Sequence, residues 1–309
     1  MALLDRAIVR MLPVVPRPVV RKLSERYIAG PELADACRVI KRENAAGSHA
    51  TVDVLGESVD DEVEARAFVE AYLRVLRAIE RESLDSNVSI KPTAFGLGLG
   101  YEVCRVNLEE VIADAASRGN FVRIEMEDSS CTDETLALYR ELRGAGHENI
   151  GVVLQAYLRR TPADIRALAD LRPNVRLVKG IYVEPPSLAY RGFDEIRASF
   201  VACLEALLTA GAYVGVATHD EWLADEACRL LLNRPREEYE FQMLLGVRRE
   251  LGARIAADGH RLRIYVPFGE RWYEYSLRRL QENPKIAGYI AADTFGRLLH
   301  PLNGRGRKA

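Results

Sequence analysis

Short runs of β-branched and aliphatic residues recur along the chain, and each is followed by a longer stretch whose apolar positions return every three to four residues. The runs at 51–55, 88–91, 121–126, 151–155, 175–180, 213–218, 239–243 and 262–266 read as strands. Between them, stretches such as 61–81, 108–118, 133–145, 163–171, 195–210 and 222–232 carry the spacing of amphipathic helices. Eight strands alternating with helices predict a parallel α/β fold, and eight is the number that closes a (β/α)8 barrel of the TIM type. An open, doubly wound sheet is the alternative. Residues 1–48 read as a helical arm broken at Pro31, and 49–300 as the barrel with a last helix after Pro284. A basic Gly/Arg tail occupies 301–309. No linker marks a second domain, and no internal repeat is visible.

The ends of the strands carry the chemistry. They run out in Lys91, Glu125, Gln155, Lys179, Thr218-His219, Gln242 and Tyr265. Polar groups at the C-terminal ends of parallel strands point into a barrel mouth, where active sites of this fold are built. Arg176 sits inside a strand. A charge there is costly unless it is paired or ligand-bound, and Glu125 is the candidate partner. Beyond the strands, Tyr275, Arg278, Arg279 and Glu282 fall at i, i+3, i+4 and i+7 of a helix. Two adjacent guanidiniums suit a carboxylate ligand, because their forks match its two oxygens. A solvated face with an Arg278–Glu282 pair fits the same spacing.

Composition narrows the classes. With 43 basic and 45 acidic residues the chain gives no case for nucleic acid. Its five cysteines are scattered and lack metal spacing, which fits a reducing cytoplasmic compartment. The N-terminal segment is interrupted by arginines and by Pro13, Pro16 and Pro18, and reads as neither a spanning helix nor a signal peptide. Gly96-Leu97-Gly98-Leu99-Gly100 follows a strand but misses the G-x-G-x-x-G spacing of a dinucleotide fingerprint, so it reads as a loop over the mouth. Thr218-His219-Asp220 has no second histidine at ligand spacing, and no metal site is expected.

The ordered set of motifs resembles the proline dehydrogenases. It comprises Asp53-Val54-Leu55-Gly56-Glu57, Ser89-Ile90-Lys91, Arg123-Ile124-Glu125-Met126-Glu127-Asp128-Ser129, Gln155-Ala156-Tyr157 and Arg176-Leu177-Val178-Lys179-Gly180-Ile181-Tyr182. It continues with Ala217-Thr218-His219-Asp220, Tyr239-Glu240-Phe241-Gln242-Met243-Leu244, Arg263-Ile264-Tyr265-Val266-Pro267-Phe268-Gly269 and the last helix. The resemblance spans about residue 50 to 285 and implies a distorted (β/α)8 barrel of the stand-alone bacterial form, with FAD across its mouth. The reaction it implies is hydride transfer from proline C5 to the flavin, giving 1-pyrroline-5-carboxylate. By the same resemblance Arg278 and Arg279 clamp the substrate carboxylate, with Lys91 held by Glu282 as a third donor. Tyr265, Tyr275 and Leu244 pack on the ring, and Tyr182 closes the pocket. Gln155, Arg176, Val178, Lys179, Gly180, Ile181, Tyr182, Thr218 and His219 hold the cofactor, with Met126 near the flavin ring. Arg176 stabilises negative charge as the ring is reduced, and Glu125 is the acidic candidate for the amine proton. The family usually carries Asp at the Glu125 position.

The implied acceptor is a membrane quinone, met through a peripheral contact at the inner face of the cell membrane. The product passes to a separate pyrroline-5-carboxylate dehydrogenase. The rival readings are another flavin barrel, acting on hydroxyproline or resembling methylenetetrahydrofolate reductase, and a barrel that serves only as a scaffold.

Overall fold

A computed structural model describes residues 26–273. Eight parallel strands pair in chain order and close into a barrel: β1 (His49–Val54), β2 (Ser86–Ile90), β3 (Val122–Ile124), β4 (Ile150–Gln155), β5 (Asn174–Val178), β6 (Tyr213–Ala217), β7 (Tyr239–Leu244) and β8 (Leu262–Phe268). β8 pairs back onto β1, with Thr51 opposite Tyr265. All eight expected strands are present, and the open-sheet alternative is excluded by that last pairing.

The helices are α1 (Leu33–Ala45), α2 (Glu62–Arg81), α3 (Tyr101–Ser117), α4 (Thr132–Gly144), α5 (Thr161–Leu168), α6 (Phe193–Thr209), α7 (Glu221–Leu230) and α8 (Arg249–Ala257). In α2 the sequence logic is plain. Asp61 caps the start by accepting from Glu64 N at 2.8 Å. Ala65, Phe68, Val69, Tyr72, Leu76 and Ile79 then follow at helical spacing and are all buried. Full burial of such large apolar side chains stabilises by about 1.5–3 kcal/mol each.

Two helices depart from the expected pattern. α3 begins at Tyr101, directly after the glycines, and not at 108. Its first turns are interrupted by polar Asn107, which is buried because its amide donates to Phe95 O at 3.1 Å. α8 lies outside the expected stretches. It is short and has Gly252 at its centre, where a Cβ would stand 3.3 Å from both Leu262 Cδ2 and Met243 Sδ. The glycine lets the helix lie close against β7 and β8.

The described part of the arm, from residue 26 on, packs on the barrel. α1 buries Ala36, Cys37, Val39 and Ile40. Just before it, Ala29 N donates to Pro267 O at 2.9 Å, and Gly30 O accepts from Gly269 N at 3.0 Å. The seam between the last strand and the first is thus stitched by the chain that precedes them.

Register sorts the strand side chains into two faces. Val52, Val88 and Val122 align with one another, as do Val152, Val175 and Val214, and they are fully buried in the apolar core. The other face holds Asp53 beside Ser89, Ser89 beside Arg123, Arg176 beside Gly215, and Gln242 beside Arg263. That face points inward, because Arg176 on β5 reaches Ser89 on β2 across the barrel at 3.2 Å. The barrel therefore has an apolar jacket and a charged interior.

Candidate active site

The site starts from two ion pairs inside the mouth. Lys91 Nζ lies 3.0 and 3.1 Å from the two carboxylate oxygens of Asp53, whose side chain is inaccessible to solvent. Burial opposes the lysine charge, but the Asp53, Glu125 and Glu127 carboxylates outweigh it and raise the Lys91 pKa. The ammonium is thus fixed. Among the described residues its carboxylate partner is Asp53, where Glu282 was expected. Glu282, Tyr275, Arg278 and Arg279 all lie outside the described residues.

The second pair is the one expected of Arg176. Its Nη1 donates to Glu125 Oε1 at 2.6 Å and to Ser89 Oγ at 3.2 Å, while Nε donates to Gln242 Oε1. The Ser89 hydroxyl also donates to Glu125. Burial pushes the Glu125 carboxyl up, but Arg176, Ser89 and Lys91 together hold it below the usual carboxylate range. The Tyr265 ring covers the guanidinium at 5.3 Å. The Arg176 Nη2 makes no hydrogen bond among the described residues.

A second polar layer lies beneath. Arg263 Nε donates to Glu240 Oε1 at 2.7 Å, and Arg263 Nη1 to Ala50 O at 2.6 Å. Arg123, 2% exposed, donates to Val152 O, Asn174 O and the Asn174 side chain. Burial and the nearby Arg176 charge press its pKa down to about 9. Gly151 makes the room, since a Cβ there would stand 2.3 Å from Arg123 Nη1.

The rim is built from loops after the strands. Tyr157 N donates to Lys179 O at 2.7 Å, which carries the β4–β5 ladder past the strand ends. Gly180 has φ +112°, and a Cβ on it would meet the Tyr157 ring at 2.0 Å. Lys179 Nζ and Arg197 both hold Asp220, at 2.7 Å and at 2.9 and 2.6 Å. Although burial opposes them, these two cations bring the Asp220 pKa down to about 2. His219 Nε2 accepts from Leu244 N at 2.9 Å. A backbone amide can only donate, so the neutral ring carries its proton on Nδ1. Glu184 accepts from Ser129 N and Oγ at 2.7 and 2.6 Å, and so pins the loop after β5 to the loop after β3.

Of the residues singled out from sequence, Lys91, Glu125, Arg176 and Tyr265 meet inside the mouth, while Val178–Tyr182, Thr218, His219 and Leu244 form its rim. Gln155 is buried and its Nε2 donates to Glu127 O at 2.7 Å. Met126 is buried in the main apolar core. Asp53, Ser89, Glu240, Arg263, Asp220 and Arg197 were not singled out. The available signal was the two-residue spacing Asp53 after Thr51, Glu125 after Arg123, Gln242 after Glu240 and Tyr265 after Arg263, which places each pair on one strand face.

The donor set suits a flavin. A fixed cation whose Nη2 makes no hydrogen bond among the described residues, and a glycine that opens the backbone at the rim, are groups that a ring taking up negative charge can use.

The family model described as proline dehydrogenase matches residues 36–291. A protein named proline dehydrogenase from Deinococcus radiodurans is 35% identical over 294 residues, covering 91% of this chain and 95% of that one. Proline dehydrogenase 1 of Bacillus subtilis is 37% identical over 269 residues, covering 86% and 89%. Among solved structures, proline utilization A from Bdellovibrio bacteriovorus, inactivated by N-propargylglycine, aligns with a TM-score of 0.77 at 25% identity. That alignment covers 88% of this chain and 34% of the other, so the chain spans about a third of that relative.

Proposed function

The chain belongs to the proline dehydrogenase family, oxidoreductases that act on proline, and from that premise we propose that the barrel mouth binds FAD and oxidises L-proline to 1-pyrroline-5-carboxylate. The observation that carries this reading is the buried Arg176, held on three sides by Glu125, Ser89 and Gln242, with Nη2 making no hydrogen bond among the described residues. The Glu125 pair offsets the cost of burying that charge, and the Nη2 edge is one that a ligand taking up negative charge would use.

When bound, a flavin would supply the two-electron acceptor for the hydride that leaves proline C5. The proline nitrogen must lose its proton so that its lone pair can form the C=N bond as the C5–H bond breaks. Glu125 is held as a carboxylate of lowered pKa and is therefore a weak base. Its work is to aim Arg176, and the amine proton goes to solvent. Lys91, kept charged by Asp53, adds a positive donor at the substrate carboxylate. Arg278 and Arg279 clamp that carboxylate by the chemistry of their forks, Tyr275 covers the ring, and Tyr265 and Leu244 wall the pocket. Holding C5 in register with the acceptor supplies much of the rate.

Val178–Tyr182, Thr218 and His219 hold the cofactor along the rim. The electrons then pass to a membrane quinone at a peripheral contact. No helix among the described residues is long and apolar enough to cross a membrane. The pyrroline product goes on to a separate dehydrogenase.

The deciding experiment is anaerobic addition of L-proline to the purified protein. Bleaching of the flavin band is expected, with 4-hydroxyproline slower and NADH inert. A colourless preparation that takes up no FAD, or fast bleaching by NADH, overturns the reading.

A further inference from the structure

Beneath Arg176 runs a row of side chains that the reaction does not touch. Arg263 Nε and Gln242 Nε2 both donate to Glu240 Oε1, at 2.7 and 2.6 Å, and Gln242 Oε1 accepts from Arg176 Nε. Glu240 is 2% exposed, and Gln242 and Arg176 are each 5% exposed. Space for the amide comes from Gly215, the β6 residue in register with Arg176 and Glu240, where a Cβ would stand 2.5 Å from Gln242 Nε2.

The two ends of a carboxamide are nearly the same size and opposite in sense. Rotated by half a turn, Gln242 would point an NH2 at the Arg176 N–H, donor against donor. An ionised carboxylate only accepts, so Glu240 selects the orientation in which NH2 faces down and C=O faces up. Arg263 keeps that carboxylate charged, and despite burial its pKa lies below the usual range.

We propose that Glu240 is a positioning residue: it fixes the Gln242 amide and, through it, the aim of the Arg176 guanidinium at the barrel mouth. The kinetic consequence rests on the proposed role of Arg176 beside the cofactor. The orientation itself belongs to the protein alone.

The test has a structural arm and a kinetic arm. In a crystal structure of Glu240→Gln, Arg176 is expected to leave its contact with Glu125 or Gln242. In rapid mixing, the limiting rate of flavin reduction by proline is expected to fall about tenfold, the scale of one charge-assisted hydrogen bond, with the proline half-saturation within about twofold. Gln242→Met is expected to show the same loss. Because Glu240 acts through Gln242, Glu240→Gln/Gln242→Met should be no slower than Gln242→Met alone. Multiplied losses in the double variant, or an unmoved Arg176 and a wild-type rate in Glu240→Gln, overturn the proposal.

Should Glu240→Gln fail to fold, Glu240→Met/Arg263→Met removes both charges together and keeps the apolar volume. The same tenfold loss is expected there, and a wild-type rate in it is equally fatal. Failure of the flavin reading shows separately, as a wild-type protein that proline does not bleach. The crystallographic arm then decides the orientation by itself.

Discussion

Asp53 holds Lys91 with both of its carboxylate oxygens, at 3.0 and 3.1 Å, the carboxylate sealed from solvent and the lysine side chain 14% exposed. Breaking one side of such a pair strands the other. Asp53→Asn is expected to cost about 3–5 kcal/mol in urea denaturation, and Asp53→Leu/Lys91→Met to recover much of it. A loss below about 1 kcal/mol in the single variant would mean that the pair is solvated.

Arg176 is tied to three partners by a planar fork that a lysine cannot reproduce. Arg176→Ala and Arg176→Lys are both expected to slow flavin reduction by about a hundredfold and to lower FAD content, with a smaller effect on proline KM. Flavin-to-protein absorbance and single-turnover kinetics read the two effects apart. Normal FAD content and turnover in both would return Arg176 to a purely structural pair.

Asp220 gives the fold an acid-sensitive contact on the rim. Its pKa falls from 3.8 to about 2 in the folded protein, because Arg197 and Lys179 outweigh burial. A depressed carboxyl pKa stabilises the fold above the unfolded value, and that contribution is lost as pH falls through the folded one. Asp220→Asn is therefore expected to be less stable than wild type at neutral pH, and the gap should narrow between pH 4 and pH 2. Unfolding curves across that window check it; a constant gap contradicts the assignment.

Gly180 is constrained twice, by φ +112° and by the Tyr157 ring 2.0 Å from any Cβ. Gly180→Ala should cost on the order of 2–4 kcal/mol and release bound flavin. Gly119 has φ +63° and open space around it. Gly119→Ala should cost only about 1–2 kcal/mol and leave flavin in place. Equal melting temperatures for the two variants would remove the cradle argument.

Arg278→Met and Arg279→Met test the carboxylate clamp. Each should raise proline KM by about thirtyfold or more, as expected when a charge-assisted contact worth about 2–5 kcal/mol is lost. FAD content serves as the control, and an unchanged KM in both removes the clamp.

The strands were legible because β-branched runs are short and the helices between them long, so the barrel follows from counting. The strand-end residues were legible because the fold gives that end a mouth. The layer below was not. Glu240, Arg263 and Asp53 alternate with apolar neighbours, and such alternation reads as a strand with one face in water. Only the β8-to-β1 pairing turns that face inward. The Asp53 partner of Lys91 went unseen for the same reason, while the expected Glu282 lies outside the described residues. Asp53 lies on the adjacent strand opposite Ser89, two residues before the lysine, and sequence spacing carries no trace of that proximity. The early start of α3 was hidden by Asn107, whose polarity breaks the apolar stripe although its amide is buried.

The seam between β1 and β8 sets an order of events during synthesis. Arg263 donates to Ala50 O across 213 residues of chain, and that contact completes the enclosure of the charged interior. Until the eighth strand has emerged from the ribosome, the inward arginines and carboxylates stand in water and give a half-made barrel little apolar surface on that side. Contacts between residues so far apart in sequence are slow to form. Barrel closure must therefore wait for β8, and any partial sheet formed before then would present open edges.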